Sequence, residues 1–187
     1  MKAMKKKSVT ASRAMRLITT RPTIIITTLH PNGEVNGGAF GAYTNLSPKE
    51  IGLAIGTPSH TYRNLKRTGE FVINVPGADL VDAISIFGSD APDGVSEVVQ
   101  AGLTTAKSAK VAVPYIAECV ASVECRFLRE VPIGYHSFVI GEVLCGWVND
   151  GLLDDEGYFD VVKAGVLHGA RYPQPVYAVF SCYIHGK

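Results

Sequence analysis

A mainly β fold, a barrel of antiparallel strands with a few helices, is what this sequence predicts, and three observations predict it. Short runs rich in β-branched and aromatic residues recur between turn-forming residues, most plainly Pro22–Leu29 ahead of Pro31-Asn32-Gly33. Few segments carry helical spacing. Charged residues are 19% of the 187-residue chain and glycines number 19, which fits a β-rich globule with much of its surface covered, here expected to be by a second copy of itself.

The elements follow in order. Ala11 to Thr19 reads as a short entry helix carrying Met15, Leu17 and Ile18. Thr23 to Leu29 is a buried strand, and Asn32-Gly33 tolerates positive φ, so a hairpin should return through Glu34 to Tyr43. That second strand holds Gly37, Gly38 and Gly41, which weaken it unless something lies close to its backbone: a bulge, or a flat ligand. Ser47 to Glu50 is a turn and Ile51 to Ile55 a strand. Thr57-Pro58-Ser59 then starts a helix from His60 to Thr68, with Ser59 as N-cap and Gly69 just past its end. Glu70 to Val75 is a strand.

Ala78 to Phe87 reads as a helix with Leu80, Val81, Ile84 and Phe87 on a buried face. A loop with a short helix at Ser96 to Gln100 follows. Ile116 to Leu128 and Tyr135 to Val148 form a long hairpin turning at Val131 to Gly134, with Trp147 in core or interface, and Val176 to Ile184 is a last strand.

No linker or repeat divides the chain, so one domain over 1–187 is expected, with 1–12 as a flexible tail. The basic start, Met1 to Lys7, is the one charge run and reads as solvated. A net charge of +1 supplies no long-range field for nucleic acid or an anionic membrane. No signal peptide is visible, and no apolar run reaches the roughly 18 residues of a membrane span. Cys119, Cys125, Cys145 and Cys182 form no Cys-x-x-Cys pair and sit in apolar, strand-like contexts. Reduced, buried thiols and a cytoplasmic protein are the expectation. His30, His136 and His185 read as structural or surface residues, and no spacing suggests a metal site.

Chemistry concentrates between Asn36 and Val75. The first N–H groups of a helix lack internal partners and carry partial positive charge, and Ser59 and Thr61 add hydroxyls. Arg63, Lys66 and Arg67 add cations, of which only some can face one site. A phosphate is the natural ligand of such a start, although Ser59 acting only as a cap explains the same residues. The small residues of Asn36 to Asn45 leave backbone groups open beside Phe40 and Tyr43, a surface suited to a flat heteroaromatic. A planar ring at one end and a phosphate at the other describe a mononucleotide-type cofactor. Neither a Gly-x-Gly-x-x-Gly after a first strand nor a P-loop is present.

The order NGGAFGAYTNLS, strand, then SHTYRNLKRTGEFVIN resembles the flavin reductase-like, FMN-binding split-barrel proteins, and among them the flavoredoxin-like group. The family's second segment is matched through His60, Thr61, Asn64, Leu65, Thr68, Gly69, Glu70, Phe71 and Asn74, and His136 to Val143 resembles its strand ending in Gly-Glu-Val. In the first segment, Ala39 and Gly41 stand where the family has Pro and Ser.

The resemblance implies a homodimer of Greek-key split barrels with FMN near the interface. It implies that Phe40, Gly41, Ala42, Tyr43, Thr44 and Asn45 lie along the flavin ring and ribityl chain. Thr57, Ser59, His60 and Thr61 would hold the phosphate, and the segment from His168 to Tyr172 would approach the flavin. NADH or NADPH would be the electron donor, with hydride passing to flavin N5 and no catalytic side-chain acid or base. The alternative is a flavoredoxin-like carrier that passes electrons between protein partners.

Overall fold

The computed structural model describes residues 6–18, 20–171 and 174–186. Thr19, Tyr172 and Met1 to Lys5 of the basic start lie outside them. The chain enters through α1 (Ala11–Ala14) and a 3-10 turn over Met15–Ile18, on which Met15, Leu17 and Ile18 are exposed. After β1 (Arg21–Pro22), β2 (Ile24–Leu29) turns at Gly33, φ 90°, into β3 (Val35–Phe40), with Ile24 opposite Phe40 and Leu29 opposite Val35. The strand expected over 34–43 breaks at Gly41-Ala42 and resumes as β4 (Tyr43–Ser47), which pairs with β5 (Glu50–Gly56).

The helix α2 (His60–Thr68) starts and stops at the residues that the caps dictate. Ser59 Oγ accepts the Tyr62 N–H at 3.2 Å, and Gly69 takes φ 72°, which a residue with a side chain resists. β6 (Glu70–Val75) follows. Ala78 to Phe87 is not one helix: a 3-10 turn, Ala78–Leu80, precedes α3 (Ile84–Phe87). Leu80, Ile84 and Phe87 are buried but Val81 is not, since the tighter turn rotates it off the common face. Next come α4 (Glu97–Gln100), capped by Ser96, and the two-residue strands β7 (Thr105–Ala106) and β8 (Tyr115–Ile116).

The long hairpin is β9 (Ala121–Ile133) with β10 (His136–Val148), turning at Gly134 and Tyr135 rather than at Val131. Past Arg126, β9 has β10 on one side and, among the described residues, no strand on the other, an edge on which Pro132 costs no ladder bond. Finally β11 (His168–Arg171) pairs with both β1 and β12 (Val176–Ala178). The last strand ends at Ala178, not Ile184, because its partner β11 is only four residues long.

The main sheet runs β3-β2-β6-β9-β10-β5-β4. Its two edges, β3 and β4, are consecutive in the chain and joined by Gly41-Ala42 alone. From Phe40 to Tyr43 the chain can reach only about 10–11 Å, so the sheet must roll until its edges nearly meet, and the corner is where this barrel closes. Ile24, Ile26, Leu53, Ile55, Phe71 and Val139 fill it with Leu65 of α2, while Ile25, alternating to the other face of β2, packs with Ile84, Phe87 and Val98. Most buried polar side-chain atoms among the described residues are paired, His30 Nε2 excepted. Asn74, fully buried, donates to Ile25 O and Thr27 Oγ1 and accepts from Ile116 N–H and Ser122 Oγ.

Candidate functional site

The three glycines around β3 do different work. A Cβ on Gly37 would lie 2.6 Å from the Phe87 ring, and one on Gly38 would lie 2.8 Å from Thr61 Oγ1 and 2.9 Å from the Phe40 ring. Both are small because something already fills the space. A Cβ on Gly41 would meet nothing within 4 Å. Its Cα faces a cavity of about 680 Å³ walled by Ala39, Phe40, Gly41 and Ala42 on one side, α3 with Ser85 and Gly88 on another, and β1, β11 and β12 on the third. That volume is ordinary for a pocket holding a small organic ligand.

On the far side of the corner lies the start of α2. Ala42 O accepts the Ala54 N–H at 2.8 Å, and two residues later β5 ends at Gly56, leading through Thr57 and Pro58 to Ser59. Thr57 is tied to the β9–β10 turn, its N–H and hydroxyl both donating to Tyr135 O. The residues around this start divide sharply. Thr61 is 3% exposed and its hydroxyl accepts from Asn36 Nδ2 at 3.0 Å, so it faces the interior and can offer a ligand only its backbone N–H. His60 Nε2 lies 2.9 Å from Asp93 Oδ1, which also takes Arg63 Nη2 at 2.6 Å. Lys66 bonds Glu130 at 2.7 Å and Arg67 donates to Leu29 O, so neither serves the helix start.

Of the residues predicted along the ring, Phe40, Gly41 and Ala42 line the cavity. Tyr43, Thr44 and Asn45 do not: Tyr43 packs against the barrel core, where burial pushes its hydroxyl up to about 12, and Thr44 and Asn45 are exposed on the edge strand. His168 is buried beside Phe180, its Nδ1 3.0 Å from Val166 O. Strand alternation turns it away, and its neighbours Gly169 and Arg171 line the cavity instead. Tyr172 lies outside the described residues.

Arg171 lies within the segment expected to approach the flavin, whereas sequence reasoning missed Ser85 on α3 and, by the small sheet, Arg21, Thr23 and Tyr177. They meet through the β1–β11–β12 sheet, where Arg21 stands opposite Gly169, a pairing with no local signature.

The remaining histidine, tryptophan and cysteine expectations hold in part. His30 is buried, with Nδ1 3.3 Å from Asn64 Nδ2, its ring edge-on to His60 at 5.2 Å, and Nε2 without a partner. Burial first, then the proximity of His60, hold its pKa below the usual histidine value. Trp147 is partly exposed. It stacks on Tyr115 at 5.5 Å and donates to Glu124 Oε1 at 2.7 Å. Burial pushes the Cys119 and Cys125 thiols up to about 12, which leaves them unreactive, whereas Cys182 is exposed beyond the last strand.

Over residues 15–175 the chain matches the flavin reductase like domain family. An uncharacterized protein of Halalkalibacterium halodurans is 36% identical over 150 residues, covering 73% of this chain and 72% of that one. Among solved structures, nitrilotriacetate monooxygenase component B from Bacillus cereus superposes with a TM-score of 0.84 at 23% identity, covering 99% of this chain and 98% of its own. Flavoredoxin of Desulfovibrio vulgaris does so with a TM-score of 0.81 at 19% identity, covering 100% and 96%. These likenesses establish a shared fold, named as a split barrel in a further neighbour, a flavin reductase from Shewanella frigidimarina that superposes with a TM-score of 0.84 at 18% identity, covering 96% of this chain and 94% of that one.

Proposed function

The chain belongs to the flavin reductase-like family, and from that premise we propose that it is an FMN-dependent oxidoreductase that draws electrons from NADH or NADPH. The observation that carries the reading is the open corner: Gly41 and Ala42, where the barrel closes, border a cavity of about 680 Å³ on one side and lead to a capped helix start on the other. The residues fit the group. Ala39, Gly41 and Ala42 leave a flat ring access to backbone donors and acceptors, with Phe40 beside it. Thr57 Oγ1 and the first N–H groups of α2, those of His60 and Thr61, suit a phosphate, and His60 adds a side chain at the same end. Tyr43, Thr44 and Asn45 follow the corner along β4 and would flank the ribityl chain.

FMN, when bound, supplies the chemistry by accepting hydride at N5. The chain's part is to orient the ring against the corner, to anchor the phosphate, and to keep water from the reacting face with the α3 and β12 walls. No side-chain acid or base is assigned. The exposed apolar residues Met15, Leu17, Ile18, Phe180 and Ile184 at the two ends of the chain support a homodimer.

The test is the visible spectrum with added FMN, followed by stopped-flow mixing with NADH or NADPH. Flavin absorbance that bleaches rapidly with either nucleotide supports the reductase. Bleaching only by a reduced protein donor supports an electron carrier instead, and a protein that ignores FMN removes both readings.

A further inference from the structure

The cavity at the corner is unevenly charged. Its charged lining residues are Arg21 and Arg171, and no Asp or Glu lines it among the described residues. Arg21 stands opposite Gly169 on β11, which makes Arg171 its diagonal neighbour. Side chains so placed have Cβ atoms roughly 7–8 Å apart. A register shift between Gly169 and Arg171 against β12 bulges the strand there, a device that re-aims side chains, and both residues face the cavity. Arg21 Nη1 donates to Gly41 O at 3.3 Å, which ties it to the corner, and neither guanidinium pairs with a carboxylate among the described residues.

Two permanent cations share one wall with the neutral polar groups of Thr23, Gln174 and Tyr177, and Ser85 lines the α3 wall. They repel each other in the absence of a counter-charge. Planar guanidinium forks match phosphate oxygens in pairs, so two of them around one cavity favour a phosphorylated ligand over a neutral one. This wall is distinct from the start of α2, where the His60 and Arg63 side chains meet Asp93.

We infer that Arg21 and Arg171 form a second anion subsite, which grips a phosphate of a ligand lying in the cavity. On the flavin reading, which supplies the ligand's name though not its charge, that group is the pyrophosphate of the reduced nicotinamide dinucleotide, held while its ring reaches the corner. Arg21 and Arg171 are thus positioning and specificity residues for the electron donor.

The experiment is calorimetric titration of ADP-ribose, inorganic pyrophosphate, FMN and riboflavin into the wild-type protein and into Arg21→Gln, Arg171→Gln and the double variant. Both side chains are at least partly exposed, and thermal melts of each variant check that it folds. In the double variant ADP-ribose and pyrophosphate should bind at least tenfold more weakly, while the preference for FMN over riboflavin is kept. If instead FMN falls to the affinity of riboflavin and ADP-ribose is unaffected, the subsite stands but serves the cofactor's own phosphate. The subsite is overturned if the wild type binds neither ADP-ribose nor pyrophosphate and FMN is unaffected by the substitutions, or if all three ligands change less than twofold. Arginine-dependent binding of ADP-ribose by a protein that ignores FMN would remove the flavin reading and leave the subsite in place.

Discussion

The interior around β3, with β6 beside β2, lies within a few residues of the Gly41-Ala42 corner on the β3 side, yet small and polar residues mean opposite things in the two places. In the interior each is pinned. Gly37 makes room for Phe87, Gly38 for Thr61 and Phe40, and Asn36, Asn64 and Asn74 hold strand and helix together through buried hydrogen bonds. At the corner Gly41 has nothing to accommodate, and Ala42 lies beside empty volume. The lesson is that a glycine or asparagine marks function only where the packing around it is incomplete. The motif by which the family is most readily recognised is largely a folding motif: Asn64 and Asn74 are bonded inside, and Glu70 accepts the Ala112 N–H at 2.8 Å. Gly141 of the downstream segment is small because a Cβ there would lie 2.5 Å from the Phe71 ring.

Four measurements test this contrast. The largest effect should come from Asn74→Ala, which strands the Ile116 N–H and the Ser122 hydroxyl in the core. Denaturant unfolding should show a loss of about 3–5 kcal/mol, and a loss within error of zero would mean the interior is not pinned there. Next is the glycine pair. Gly37→Ala should overpack against Phe87 and cost about 1–3 kcal/mol. Gly41→Ala should leave stability within about 1 kcal/mol of wild type, while fluorescence titration shows weaker FMN binding. Equal destabilisation by the two alanines would erase the distinction.

Third, Thr57→Glu brings negative charge to the start of α2 without touching the buried Thr61. FMN affinity should fall about tenfold, roughly 1.4 kcal/mol, with riboflavin affinity unchanged; an equal loss for both flavins would move the phosphate elsewhere.

The smallest effect concerns His30. Burial and His60 depress its pKa in the folded chain, with the opposing pull of Glu97, the Val95 backbone and Asp93 too weak to restore it. Below the unfolded value of about 6.5, the unfolded chain therefore takes up a proton that the folded chain refuses. This contribution to stability is complete above that pH and is lost as pH falls toward the depressed folded pKa. Urea unfolding between pH 7.5 and 5 should show the decline, and His30→Asn should flatten it.

Much was legible in the linear chain because its cause is local. The caps of α2, the Asn32-Gly33 turn, the span of β6 and the pairing of β9 with β10 follow from backbone preferences and from alternation over neighbouring residues, and the family's motif lies within that same stretch. The break at Gly41-Ala42 was not legible, because the strand stops there to bring two sheet edges together, a demand of barrel closure and not of the residues themselves. The inward turn of Thr61 and the burial of His168 escaped for the same reason: which face a side chain takes depends on what packs against it. The cationic wall was legible only in half: the segment from His168 to Tyr172, which holds Arg171, was expected at the flavin, but nothing pointed to Arg21 beside it. Pairing between the two ends of the chain brings these residues together, and hydrogen bonds between distant strands leave no period in the sequence.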